Sequence, residues 1–86
     1  MTKEFSKIME EIVADTAPRL FAVFHEEGQE DDGWVAAWVL AFDDRAEVVT
    51  PGGALRLTTS SPEQAVRHFS RGEGVTAHLV WVASVN

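Results

Sequence analysis

The chain carries three histidines, His25, His68 and His78, and no cysteine, so a metal site would have to rest on imidazole and carboxylate alone. No two of these histidines stand at the i, i+4 or close-turn spacing that lets ring nitrogens converge on one ion. His25 and His78 fall on segments that read as strands, where an adjacent strand can bring a carboxylate into hydrogen-bond reach. His68 falls on the polar side of a helix. No metal and no cofactor is expected.

Nucleophilic chemistry fares no better. Ser60, Ser61 and Ser70 stand at helix caps or ends, and none sits in the G-x-S-x-G elbow that exposes a catalytic serine. The acid pairs Glu26–Glu27 and Asp43–Asp44 are chain neighbours, which point apart on a strand or turn and are solvated. Pro51–Gly52–Gly53 lacks the Gly-Lys-Ser/Thr that completes a phosphate cradle. The densest charge feature is Glu26, Glu27, Glu30, Asp31 and Asp32. It lacks the alternating oxygen ligands and trailing Glu of a calcium loop. It reads as a solubilising hairpin tip or, functionally, as an acidic docking loop for a basic partner. No enzyme is expected.

The chain has 86 residues and reads as a single domain over 1–86. A domain this small buries only about 60% of its unfolded surface. With no disulfide to add to a thin core, apolar burial between chains becomes attractive. Fourteen acidic residues against seven basic ones leave a net charge of −7. No Lys/Arg cluster interleaves with aromatics, so nucleic-acid binding lacks its electrostatic basis. Glu10 and Glu11 stand where a signal peptide needs an apolar run. The longest apolar run, 34–42, is far shorter than the ~20 residues of a membrane helix. A cytoplasmic protein with no membrane contact is expected, and Arg over Lys with abundant Ala and Val suits a bacterial source.

The elements that position these groups follow from periodicity. Residues 3–15 form an amphipathic helix with Phe5, Ile8, Met9, Ile12 and Val13 on one stripe and Thr2 as N-cap. Residues 19–25 alternate as a strand that is apolar on both sides, and 34–42 follow as its hairpin partner. Short strands at 46–50 and 55–59 flank the Pro51–Gly52–Gly53 turn, the second of them at an edge. Ser61, Pro62 and Gln64 make a capping box for a helix that Gly72 or Gly74 ends. A long strand over 75–85 closes the chain and is expected to return to the sheet centre beside the first strand. The fold class is α+β: one antiparallel sheet of about five strands with two helices on one face, in the order α-β-β-β-β-α-β.

The segment 34–42 has no polar side chain at all, which raises the question of what covers its second face. Strict alternation puts Val35, Ala37, Val39 and Ala41 on one side, small enough to seat the helices. Trp34, Trp38, Leu40 and Phe42 then share the other side, with Ala36 as the one small exception, and Trp81 is assigned to the same interface. Two short helices cannot cover both sides, and an exposed aromatic patch of that size exceeds what a monomer tolerates. A homodimer packed sheet on sheet, or an interface with another protein, would cover it; a strongly curved sheet wrapping its own aromatics is the alternative. The chain therefore reads as a non-catalytic interaction module: a dimeric adaptor, regulator or accessory subunit. Two other readings are a neutralising partner of a basic protein, of the immunity or antitoxin kind, and a small-ligand carrier with tryptophan as a pocket wall. Few polar groups could converge on a ligand there, which counts against the last.

Overall fold

A computed structural model describes residues 2–29, 32–70, 72 and 74–83. It contains helix α1 (Lys3–Thr16), strands β1 (Arg19–Glu27), β2 (Asp32–Ala41), β3 (Ala46–Val49) and β4 (Arg56–Thr59), helix α2 (Pro62–His68) and strand β5 (Val75–Trp81). The strands form one five-stranded sheet in the order β4-β3-β2-β1-β5, antiparallel at every neighbouring pair. The fold is α+β with the expected element order. β5 does pair with β1, but at the edge of the sheet rather than its centre, because β2 holds the other side of β1. Ser84 and Val85, expected in the last strand, lie outside the described residues. No helix among the described residues is long and apolar enough to cross a membrane.

Both N-caps follow the sequence, but the capping box is half formed: among the described residues the Gln64 side chain makes no return bond to Ser61. Thr2 Oγ1 accepts from the Phe5 N–H at 3.1 Å, and Ser61 Oγ accepts from the Gln64 N–H at 3.2 Å. Pro62 opens α2, where its missing N–H has no partner to lose. Replacing Ser61 by Ala is expected to cost about 1 kcal/mol. Urea unfolding should show a lower midpoint with an unchanged slope, and the assembled mass should not move. α2 ends at His68, before either glycine expected to stop it. Gly74 instead takes a φ of 86°, a left-handed turn that leads the chain into β5.

One face of the sheet seats α2. Ala65 and Phe69 pack there on Val23, Ala37, Val39, Ala46 and Val48. Small side chains on β2 let the helix come close, as the Val/Ala pattern predicts. His25 lies on this same face, only 3% exposed, with Nε2 2.7 Å from the Phe69 carbonyl oxygen. A carbonyl can only accept, so Nε2 carries the hydrogen in that bond. The contact ties β1 to the end of α2 and satisfies two buried polar groups together.

α1 does not join α2 on the sheet, which corrects the expectation of two helices on one face. Among the described residues it packs against none of the other elements, and none of its residues is buried. The molecule is accordingly long, 56 × 26 × 21 Å, with a radius of gyration of 16.0 Å. A compact chain of this length would have a radius near 12 Å, by the usual scaling. The connection explains the projection. Ala17 is extended at φ −63°, ψ 136°, the conformation that a following proline enforces by excluding the helical one. Pro18 fixes its own φ, and β1 begins at once. The link is a strut.

Candidate functional site: the open face of the sheet

Among the described residues, the face opposite α2 carries no helix. Which side chains it presents is decided by a β-bulge. Val23 pairs with Ala37, but Phe24 pairs with Val35, so Ala36 is an extra residue on β2. An inserted residue reverses the alternation on either side of it. Trp38 stands opposite Ala22 on the open face, whereas Trp34 stands opposite His25 on the face that α2 occupies. The rings of His25 and Trp34 meet edge to face at 5.7 Å.

The tryptophan surface expected from strict alternation is therefore divided. Trp38 and Leu40 share the open face; Trp34 does not. Trp81 pairs with Phe21, which shares the face of Val23, so it too belongs to the α2 side, at the β5 edge and 61% exposed. Phe42 lies past the end of β2, and its ring is covered by the Arg45 guanidinium at 4.4 Å. Arg45 also donates to Glu47 at 2.8 Å and to Asp44 at 2.9 Å. The Glu47 bond, foremost, holds the Arg45 guanidinium above its already high ordinary pKa.

The open face is completed by residues outside the expected interface, among them Val35, which strict alternation places on the helix-bearing side and which the bulge turns to the open one. Leu20 and Phe24 come from β1, Val35 from β2, Val49 from β3, and Val80 from β5, the last 46% exposed. Phe24 lays its ring over Gly33, where an added side-chain carbon would collide with it. Ala22 is buried although no helix covers it, flanked by its cross-strand partners Trp38 and Val80. Polar groups lie toward the rim. Glu47 there already accepts from Arg45 and from Thr58 Oγ1, and His78 Nε2 lies 2.8 Å from Glu26 Oε1. The adjacency of β1 and β5 needed for that last contact was legible in the sequence.

A depression of about 320 Å³ lies beside Leu40, Val49, Glu47 and Arg56. Its one carboxylate is already engaged, so it offers little to orient a small ligand. The other side chains weighed as candidates have structural roles. Ser61 caps α2, Ser70 Oγ donates to the Val66 carbonyl at 2.9 Å, and His25 is held by Phe69. No group of three or more His, Asp or Glu side chains among the described residues could hold a metal ion.

The acid-rich stretch is less of a loop than expected. Glu26 and Glu27 belong to β1 and Asp32 to β2, with Glu27 and Asp32 directly paired across the strands. Glu26 is used internally by His78. Glu30 and Asp31 lie outside the described residues. The chain matches no family model, and no curated protein or solved structure matches it.

Proposed function

We propose that this protein is a small acidic, non-catalytic interaction module that works as a homodimer, joined through the open face of its sheet. The observation that carries this reading is the helix-free apolar surface around half-buried Trp38, Leu40 and Val49 and exposed Val80, on a sheet whose other face seats α2. An antiparallel sheet can keep one face in water when that face is polar. This one is aliphatic and aromatic at its middle, and such a patch marks a protein-binding surface. Light scattering at micromolar concentration should report twice the chain mass. A single-chain mass would overturn the reading.

The exposed Glu27–Asp32 pair adds a second possibility within the same class, a module that captures and neutralises a basic protein. Like charges directly opposite on neighbouring strands destabilise each other, and among the described residues neither has a basic partner in an ion pair. A basic ligand would relieve that repulsion. Capture of such a ligand should slow with added salt, because steering by a local potential is screened within about 10 Å at 0.1 M. A capture rate indifferent to salt would remove this version.

A further inference from the structure

We propose that α1 of each chain docks on the open sheet face of a second copy, so that the dimer forms by reciprocal exchange of helices. This rests on the homodimer reading above and specifies which surfaces meet. Apart from the singly exposed rings of Trp34 and Trp81 on the α2 side, two apolar surfaces of one chain lack cover among the described residues. The first is the open face. The second is the α1 stripe, where Phe5, Ile8, Met9, Ile12 and Val13 are all exposed, from 37% at Met9 to 64% at Val13. Sheet-on-sheet packing would cover the first and leave the second in water. Pairing of two α1 helices would do the reverse. Exchange covers both surfaces in both chains.

The stripe cannot readily cover its own sheet. Folding α1 back would need Ala17 to leave its extended conformation, and the Pro18 ring opposes the helical alternative. The strut holds the stripe away from its own strands and makes it available to another molecule's. Dimensions agree. A helix of 14 residues is about 21 Å long. Five strands span about 19 Å between the outer axes. The polar side of α1, with Lys3, Lys7, Glu10 and Glu11, would stay in water, as the back of a docked helix must.

The area suffices as well. Five half-exposed apolar side chains on one helix offer on the order of 500 Å², given that a large aromatic alone buries about 150–250 Å². Two such dockings, with the sheet surface they cover, come to about 2,000 Å², the upper end of a standard stable interface.

Because the chain has no cysteine, single thiols can map the contact. A Met9→Cys chain and a Val49→Cys chain would be mixed, allowed to exchange, and treated with a short bismaleimide. Thiols held in one interface see an effective concentration of about a millimolar. The product joining one chain of each kind should therefore exceed either homo-product by roughly a hundredfold at micromolar protein. A chain carrying both substitutions should cross-link to twice the chain mass or more. Product joining only Met9→Cys chains, or only Val49→Cys chains, would overturn exchange in favour of helix pairing or sheet stacking. A doubly substituted chain that closes on itself at single-chain mass would also overturn it, as would a dimer that yields no cross-link. In the homo-product and no-cross-link cases, twice the chain mass by light scattering leaves the dimer reading standing. A single-chain mass for the unmodified protein defeats both.

Discussion

Trp38→Arg is expected to turn the proposed dimer into a monomer that keeps its sheet. Trp38 sits on the central strand at the middle of the open face, beside Ala22 and opposite Val49. In the proposed dimer its replacement would bury a guanidinium whose nearest open-face carboxylate, Glu47, is already engaged by Arg45 and Thr58, at a cost of about 3–5 kcal/mol per site. Two sites per dimer weaken association by at least about 10⁴-fold, since each 1.4 kcal/mol is a factor of ten. In the monomer the same guanidinium points into water and its stem can lie over Ala22, so the α2 core is untouched. Light scattering should fall to the single-chain mass while strand circular dichroism persists. Trp34→Arg is the control that the bulge dictates. Trp34 lies on the other face against His25, so its loss should leave the mass doubled. Dissociation by Trp34→Arg with retention by Trp38→Arg would put the interface on the α2 side of the sheet and overturn the open-face reading.

Phe69→Ala should remove about half of the fold's stability, independently of assembly. Phe69 is 8% exposed and stands where the end of α2 meets Val23, Ala37 and Val39. Truncating a buried phenylalanine costs about 3–5 kcal/mol, because the lost transfer energy is joined by a cavity that the sheet cannot collapse to fill. A domain of this size has only on the order of 5–10 kcal/mol in total. A fall in Tm of about 20 °C follows, each kilocalorie being worth about 4–8 °C in so small a chain. Phe69→Leu should recover much of it, since it restores volume and leaves the Phe69-site carbonyl free to accept from His25. A variant that melts within a few degrees of the unmodified protein would mean that α2 is not the lid of the core.

Much of this was legible residue by residue. Caps announce themselves locally, and Thr2 and Ser61 act where their positions suggested. The seat for a helix could be read from Ala37, Val39 and Ala41, because side-chain size on a strand limits how near a helix can come. What misled strict alternation was a single insertion. Along 34–41 the side chains run large, small, small, small, large, small, large, small, and the irregularity falls at Ala36. That residue was the visible trace of the bulge, but an alanine can also be a small residue on a regular face, and sequence alone does not separate the two. The position of α1 was hidden for a different reason. An apolar stripe specifies that a helix needs cover, whereas its address depends on the conformation of the two residues that join it to β1.

The strut at Ala17–Pro18 has a thermodynamic consequence. Helix nucleation is unfavourable, and an isolated segment shorter than about 12–15 residues is marginal in water even when its composition favours the helix. α1 has 14 residues and, within one chain, nothing to lean on. Its helix–coil equilibrium is thereby handed to mass action: whatever binds the ordered stripe draws the segment out of the coil. On the exchange proposed above, the α1 segment would behave as a tether at dilution and as a folded part at concentration. The chain would then report its own abundance through the order of its N-terminal segment, while the sheet and α2 stay as they are.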